Sequence, residues 1–269
     1  KREKKMPELK LCWLGQSGFL ISGGKTEIIA DPYLSDSCLK LNSRLDHTRH
    51  TPIVRNPAEL TPDYYLITHP HADHFDPETI APVMENSPET GFLCPPSCID
   101  KIRTFFPGKE ERFEFLATGK KYDLGSGVGL IAIPAAHETL AKDENGEYLS
   151  MSYLLNFTKV GKSVFIAGDT VPYAGQAAEI MRFLPDGYEL SMLLPANGRD
   201  AERAALGILG NMDIDEAIGL AKECKAAYLI PCHIGMFAGN DPKEPVTKEY
   251  CESKGIRTIL PEAGKEFFL

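Results

Sequence analysis

The most informative segment of this sequence is Thr68-His69-Pro70-His71-Ala72-Asp73-His74, which contains three of the chain's seven histidines within six positions. It directly follows the apolar run Tyr64-Tyr65-Leu66-Ile67, and a short apolar run of this kind predicts a buried strand. The next residues, Asp76-Pro77-Glu78, predict the N-cap and first turn of a helix that continues to about Met84. Imidazole and carboxylate groups crowded into such a turn indicate a metal site.

Three more residues of ligand type follow apolar runs elsewhere in the sequence. They are His137 after residues 130–134, Asp169 after residues 163–168, and His233 after residues 228–232. In an α/β protein, strands that run in one direction end at the same edge of a sheet, and binding sites form at that edge. We therefore expect these three residues to converge on the 68–74 segment.

The spacing of these side chains predicts two neighbouring metal ions. Side chains alternate along an extended backbone, so His69 and His71 point the same way and can share one ion. The predicted ligand sets are His69, His71 and His137 for the first ion, Asp73, His74 and His233 for the second, and Asp169 as a bridge. Two ions about 3.5 to 4 Å apart can lower the pKa of a shared water. Mixed imidazole and carboxylate ligands accommodate zinc, manganese or iron.

Each of the isolated residues also has a simpler interpretation. A single histidine after an apolar run is usually structural or exposed, which applies to His137 and to His233. Asp169, between a glycine and a threonine, is also typical of a turn. Five of the seven histidines follow apolar runs in this arrangement, and this favours the metal site over the simpler interpretations.

Composition limits the class of protein. The chain has 269 residues, 43% hydrophobic and 25% charged, and we expect one globular domain over residues 9–269 after a basic tail at residues 1–8. A net charge of −9 argues against a general nucleic-acid surface, and no apolar stretch is long enough to cross a membrane. The seven cysteines form no CxxC pairs, which predicts a reducing, cytoplasmic setting.

Three cysteines are candidates for a special role. Cys94 and Cys98 stand close enough in sequence to hold a metal, but two thiols without a second pair are more often buried and free. Cys232 adjoins His233 and must lie near the predicted site. We interpret it as a small buried apolar residue.

The remaining pattern predicts an α/β protein with two sheets. Strand patterns come first in consecutive groups and are later interleaved with helices, which favours two sheets covered by helices over one doubly wound sheet. Residues 34–61 form a long polar connection, and loops of this length tend to be lids or binding segments. This loop carries Arg44, His47, Arg49 and His50.

The motif resembles that of the metallo-β-lactamase fold superfamily, whose His-x-His-x-Asp-His sequence is matched by His69, His71, Asp73 and His74. His137, Asp169 and His233 match the later ligands of that pattern in order. The resemblance implies a four-layer αββα sandwich that spans essentially the whole chain. Flavodiiron oxidoreductases have glutamate at the position of His71, so the resemblance favours hydrolysis over the reduction of oxygen or nitric oxide.

A narrower resemblance is to the L-ascorbate-6-phosphate lactonase branch of that superfamily. It rests on four segments, residues 31–37, 194–200, 210–212 and 230–237. The resemblance implies a cytoplasmic, generally manganese-dependent enzyme that opens a phosphorylated sugar lactone, and members often form homo-oligomers. Cys232 and Ile234 differ from that branch, which leaves the exact substrate open.

The favoured hypothesis is a metal-dependent lactonase in which a metal-bridging hydroxide attacks the carbonyl carbon. Asp73 is expected to orient the hydroxide and to pass a proton to the leaving alkoxide. Arg199, with Asn197 beside it, is the candidate phosphate-binding residue, since guanidinium binds phosphate in a bidentate manner; a solvated surface arginine is the alternative. A phosphodiesterase or nuclease of the same superfamily, and a non-catalytic metal-binding protein, are the alternative functions.

Overall fold

The computed structural model describes residues 8–41 and 44–269. The basic tail predicted for residues 1–8 lies outside this range, apart from Glu8. The strands, in chain order, are β1 Leu9–Gly15, β2 Gly18–Gly23, β3 Thr26–Ala30, β4 Tyr64–Leu66, β5 Gly91–Cys94, β6 Phe113–Phe115, β7 Lys121–Asp123, β8 Val128–Pro134, β9 Met151–Phe157, β10 Lys162–Ile166, β11 Glu189–Pro195, β12 Tyr228–Cys232 and β13 Glu266–Phe268. The α-helices are α1 Pro77–Asn86, α2 Ile99–Phe105, α3 Gln176–Phe183, α4 Ala201–Ala205, α5 Ile214–Glu223 and α6 Lys248–Ser253.

The strands form two sheets. The first has seven strands in the order β13-β1-β2-β3-β4-β5-β6, and the second has six in the order β12-β11-β10-β9-β8-β7. In the first sheet, β3 to β6 are parallel to one another. In the second sheet, β10, β11 and β12 are parallel, and β8 and β10 are both antiparallel to the intervening β9. Strands β8, β10, β11 and β12 therefore all end at the same edge.

The main core lies between the two sheets. Buried side chains of both sheets pack together there, among them Leu11, Ile21 and Ile28 of the first sheet and Leu130, Leu155, Val164 and Leu193 of the second. Burial of apolar area at about 25 cal/mol per Å² is the largest favourable term in folding. This shared core holds the two sheets face to face.

Helices cover the outer face of each sheet. The outer face of the first sheet packs against α1 and α2 through a core that includes Tyr65, Ile80 and Ile102. The outer face of the second packs against α3, α5 and α6 through a core that includes Phe165 and Ala217. The protein is thus a four-layer αββα sandwich, and the fold class predicted from the sequence is confirmed.

Most elements fall where the sequence pattern predicts them. The segment 9–22 forms two strands, β1 and β2, joined by a tight turn in which Gly15 and Gln16 have φ values of 96° and 50°. Helix α1 begins as predicted, with Pro77 in the first turn and the Asp76 carboxylate accepting a hydrogen bond from the Glu78 amide. Two single turns of 3₁₀ helix interrupt the long loop at Ser37–Lys40 and Pro57–Glu59.

Three parts of the structure differ from the sequence-based prediction. Helix α4 was not predicted, and it is only five residues long, capped by the Asp200 carboxylate. Strand β13 was not predicted either, because only its pairing with the edge of β1 makes it a strand. The apolar pattern near the end of the sequence also predicts a final extended piece at Thr258–Ile259, and in the structure Thr258 forms only a single bridge to Leu229. No helix within residues 8–41 and 44–269 is both long and apolar enough to cross a membrane.

Candidate metal centre

The ends of four strands bring the predicted ligands together. His69 lies just beyond β4, His137 just beyond β8, Asp169 just beyond β10, and His233 directly after β12. Gly168 lets the ends of β4 and β10 approach closely, since a Cβ atom at this position would lie 2.7 Å from the Thr68 side chain. Its φ of 61° also belongs to the left-handed region that favours glycine.

One group of ligand-type residues consists of His69, His71, His137 and Asp169. Each offers one ligand atom, and these atoms all lie within 4.8 Å of one another. The Nε2 atom of His137 is 3.0 Å from Nδ1 of His71 and 3.8 Å from Oδ2 of Asp169. This is the set that the sequence predicts for the first ion, together with the bridging residue.

A second group consists of Asp73, His74 and His233, again within 4.8 Å of one another. Asp169 also faces this group, because its Oδ1 atom lies 3.1 Å from Nε2 of His74 and 3.2 Å from Nε2 of His233. The two carboxylate oxygens of Asp169 are therefore directed at different groups. All seven predicted ligand residues meet at one place, with Asp169 between the two groups.

Buried atoms without hydrogen-bond partners show that this donor set fits metal ions. Among the described residues, His69 Nε2, His74 Nε2, His137 Nδ1 and Asp169 Oδ1 are buried and form no hydrogen bond of normal geometry. An unsatisfied buried polar atom is costly, and an ion is one of the few explanations for several of them together. Two of these atoms belong to His74 and His69, which are only 0% and 1% exposed.

The opposite ring nitrogens of two predicted ligands are held by buried partners. His74 Nδ1 lies 2.7 Å from Oδ2 of Asp31, and His69 Nδ1 lies 3.1 Å from Oγ1 of Thr68. Asp31 also accepts hydrogen bonds from both the amide and the hydroxyl of Thr68. A carboxylate behind a ligating histidine sets its tautomer and orientation, leaving Nε2 free for a metal. Asp31 is thus a supporting residue of the second group.

Gln16 makes a further contact with the second group. Its side-chain amide donates to Oδ2 of Asp73 at 2.8 Å, and its backbone carbonyl accepts a hydrogen bond from the backbone amide of His233 at 3.0 Å. Gln16, Asp31 and His233 have φ values of 50°, 41° and 58°, uncommon for residues other than glycine. Backbone strain of this kind tends to concentrate at functional sites.

Sequence reasoning did not assign a role to Gln16 or to Asp31. A signal for Asp31 is present, because it is a carboxylate directly after the apolar strand β3, and Asp169 likewise follows β10, three positions after its end. Gln16 lies in the turn between β1 and β2, where a polar residue is ordinary. Nothing local distinguishes Gln16 from any other turn residue.

The electrostatics of the cluster differ between its two sides. Burial lowers the pKa of His69 well below its usual 6.5 and lowers that of His137 to about 4, so these rings are neutral and able to bind a metal. Burial also opposes the charged form of His233, but the Asp169 and Asp73 carboxylates outweigh it and raise the pKa to about 9. The two carboxylates thus favour positive charge at the second group.

Comparison with known proteins identifies the family. A family model described as a beta-lactamase superfamily domain matches residues 26–234. The chain belongs to the beta-lactamase superfamily. Two relatives named UPF0173 metal-dependent hydrolase come from Thermoplasma acidophilum, with 26% identity over 97% of this chain and 98% of the relative, and from Archaeoglobus fulgidus, with 24% identity over 96% and 98%. Igni18, a metallo hydrolase of Ignicoccus hospitalis, is similar in structure, with a TM-score of 0.69, 21% identity and coverage of 97% and 98%.

The fold does not bring Arg199 to the cluster of predicted metal ligands. The Arg199 guanidinium forms two hydrogen bonds of 2.6 Å to the Glu216 carboxylate and a third to the Asn211 carbonyl. Asn197 is buried, and its side-chain amide bonds to the side chains of Asn211 and Asn240. These contacts give no support to the phosphate-binding role predicted for Arg199 and Asn197, because their polar groups are already engaged.

The long loop does lie over the candidate centre. A cavity of about 410 Å³ opens above the cluster, and residues of the loop line it together with ligands of both groups. His47 is one of the lining residues, with its ring packed edge-on against Phe237 at 5.2 Å between centroids. Arg49 instead donates to the backbone carbonyls of Tyr33, Ser35 and Thr51, and so ties the loop down.

The three cysteines lie in the interior. Cys94 and Cys98 are buried and free in the core between the first sheet and its helices. Neither belongs to a group of metal-ligating residues among those that the structure describes. Cys232 is buried in the core between the two sheets, and burial raises its pKa. A thiol in this state is protonated and behaves as a small apolar side chain.

Proposed function

We propose that this protein is a metal-dependent hydrolase whose substrate is a lactone or a related carboxylic ester. The observation that carries the proposal is the position of Asp169, which directs one carboxylate oxygen at each of two groups of ligand-type side chains. The relatives named metal-dependent hydrolases, aligned over nearly their whole length, support hydrolysis. A small-molecule substrate fits the open cavity of about 410 Å³ above the cluster.

Two divalent ions are the proposed cofactors. The first group, His69, His71 and His137, would hold one ion, and Asp73, His74 and His233 would hold the other, with Asp169 shared. When bound, such ions supply Lewis acidity and lower the pKa of a bound water, which provides a nucleophile at neutral pH without serine or cysteine. Manganese and zinc both suit imidazole and carboxylate ligands, and iron is compatible.

The residues of the chain supply orientation and proton transfer. Asp73 lines the cavity, and one of its oxygens is held by the Gln16 amide, which fixes the carboxylate relative to the cluster. In lactone hydrolysis, a water oxygen bonds to the carbonyl carbon, the ring acyl–oxygen bond breaks, and the leaving alkoxide takes up the proton that the water loses. Asp73 is positioned to hold that proton and to deliver it to the alkoxide.

Metal depletion and reconstitution test the proposal. Protein treated with a chelator should lose hydrolysis of γ-butyrolactone and of phenyl acetate, and manganese or zinc should restore it. In reconstituted protein, Asp73→Asn should depress kcat by about 100-fold or more, as expected for a lost acid–base group, and should lower the bound metal content much less than it lowers turnover. Unchanged turnover by the variant would remove Asp73 from the mechanism.

The same assay separates the alternative functions. Preferential cleavage of bis(4-nitrophenyl) phosphate would favour the phosphodiesterase, and metal binding without hydrolysis of any of these substrates would favour a non-catalytic protein.

The phosphate of the phosphorylated sugar lactone has no assigned partner in this proposal, since Glu216 holds Arg199. A reducing, cytoplasmic location is part of the proposal, and the seven free cysteines support it. Assembly into a homo-oligomer stays a prediction.

A further inference from the structure

The walls of the cavity above the cluster are mostly apolar. Its floor consists of the ligands, and its walls come from three separate parts of the chain. These parts are the long loop with Cys38, Leu41, Leu45 and His47, the loop after α4 with Gly207, Ile208 and Leu209, and the segment after β12 with Phe237 and Asn240. Within residues 8–41 and 44–269, no lysine or arginine lines this cavity.

A second hollow of about 250 Å³ adjoins the same cluster. It shares His71 and His137 with the first cavity, and its other walls are Pro70, Ala135, Thr139, Ala141, Leu149 and Ser150, with His69 at its base. Leu209 lines both hollows, and 37% of it is exposed. The predicted ligands of the first group therefore lie between two neighbouring hollows. Among the residues that the structure describes, no lysine or arginine lines either hollow.

Three arginines of the surrounding segments are occupied elsewhere, whereas Arg44, in the long loop between the lining residues Leu41 and Leu45, is exposed and does not line the cavity. Arg49 donates to three backbone carbonyls of the loop. Arg203 is buried and donates to Asp200 and to the carbonyls of Asn197 and Asn240. Arg199 is held by Glu216. Moving any of these guanidinium groups into the cavity would break several charge-assisted or backbone hydrogen bonds.

Exposed leucines extend the apolar surface beyond the hollows. Leu39, Leu41, Leu140, Leu149 and Leu209 are each at least 36% exposed, and all belong to segments that border the two hollows. Exposed apolar surface beside a cavity is a feature of ligand-binding grooves. Leu41, Leu149 and Leu209 line the hollows themselves, and they favour an apolar group in the entering molecule.

We infer that the substrate is an uncharged ester or lactone with an alkyl or aryl group beside the scissile bond, occupying the two hollows on either side of His71 and His137. This inference rests on the proposed hydrolase function. A phosphate or carboxylate located away from the scissile bond would be desolvated against leucine and phenylalanine without a partner, at a considerable cost in free energy. The apolar group of a neutral substrate instead gains affinity from burial.

Three lactones test the inference with metal-loaded protein. They are δ-decalactone, which is neutral and carries an alkyl chain, gluconolactone, which is neutral and polar, and phosphogluconolactone, which is charged. We expect kcat/KM to be at least about tenfold higher for δ-decalactone than for either sugar lactone, the usual effect of a few buried methylenes. A preference for phosphogluconolactone would overturn the inference and leave the hydrolase function intact.

A matched pair of variants locates the effect in the hollows. Leu209→Lys places a cation between the two hollows and should lower kcat/KM for δ-decalactone by about tenfold while raising it for phosphogluconolactone. Leu206→Lys makes the same change at an exposed position of the same loop that lines neither hollow, and should leave both values unchanged. Equal effects of the two substitutions would contradict the assignment.

A binding measurement separates this inference from the hydrolase function. Isothermal titration of metal-free protein with δ-decalactone should show binding that is stronger than for gluconolactone and is weakened by Leu209→Lys. If this pattern appears but no lactone or ester is hydrolysed after metal loading, the apolar site stands and the hydrolase function fails. If metal-loaded protein hydrolyses lactones but δ-decalactone does not bind preferentially, the apolar site fails.

Discussion

Asp31 is not one of the predicted ligands, but it sets the orientation of one of them, His74. Its carboxylate is fully buried, it contacts His74 Nδ1, and the Thr68 amide and hydroxyl donate to it. Because Nδ1 is engaged in this way, the Nε2 atom of His74 points at Asp169. The second group therefore depends on a residue outside the His-x-His-x-Asp-His motif.

We predict that Asp31→Asn weakens metal binding about 10- to 100-fold, as is usual when the partner of a ligating histidine is lost. Asparagine tolerates the positive φ of this position, so the backbone is preserved. Isothermal titration calorimetry with the metal ion measures this change in affinity. The control is Asp63→Asn, since Asp63 also accepts a backbone hydrogen bond but lies away from the cluster. The metal affinity of this variant should equal that of the wild-type protein. Unaltered affinity in Asp31→Asn would remove Asp31 from the metal centre.

Arg199 shows the limit of inference from residue type. An arginine in a loop after a strand is a reasonable phosphate ligand in the sequence, and its chemistry suits that role. Glu216, seventeen positions later on α5, holds the guanidinium instead. Nothing in the local pattern distinguishes an arginine that binds a ligand from one that pairs with a neighbouring helix.

At the level of elements, the start of α1 connects the candidate metal centre to the long loop. Asp76 caps this helix through the Glu78 amide, and its other carboxylate oxygen accepts hydrogen bonds from the hydroxyls of Ser35 and Thr79. Ser35 belongs to the long loop whose later residues line the cavity. One buried carboxylate thus secures the helix after the motif and the base of the loop.

We predict that Asp76→Ala lowers the free energy of unfolding by about 2 kcal/mol, the upper end of the range for an N-cap, because two hydroxyls also lose their acceptor. Urea unfolding measures this change. Asn56→Ala removes the cap of an exposed 3₁₀ turn and serves as the comparison, with an expected loss below about 1 kcal/mol. Similar losses in the two variants would show that the buried contacts of Asp76 add nothing to an ordinary cap.

At the level of the whole molecule, the candidate metal centre is built from both sheets. His69, His71, Asp73 and His74 follow a strand of the first sheet, whereas His137, Asp169 and His233 follow strands of the second. Metal ions held by both sets would link the sheets, and their binding free energy would add to that of folding. The unfolded chain has no such preformed arrangement.

We therefore predict that manganese or zinc at about 100-fold over its Kd stabilises the protein by about 2.7 kcal/mol and raises Tm by about 5 to 10 °C. Differential scanning calorimetry over a range of metal concentrations measures this shift. Magnesium should have a smaller effect, since it prefers oxygen ligands in octahedral geometry. Identical shifts with all three ions, or none with any, would contradict a site built from imidazole groups.

The sequence by itself determined the two-sheet fold and the seven ligand-type residues. Each of these features can be read from a short stretch of sequence. An apolar run indicates a strand, a capping residue indicates the start of a helix, and the ligand-type residues directly follow the apolar runs. His69, His137, Asp169 and His233 could be recognised in this way although up to 164 positions separate them. The motif at residues 68–74 joined these separate signals into one hypothesis.

Only the tertiary structure decided how these residues are used. The order of strands in the two sheets places Asp31 behind His74, Gln16 against Asp73, and Leu209 between the two hollows. It also turns Arg199 toward Glu216. Such contacts join residues far apart in the chain, and their distances depend on sheet order and packing. No local pattern of apolar and polar residues encodes them.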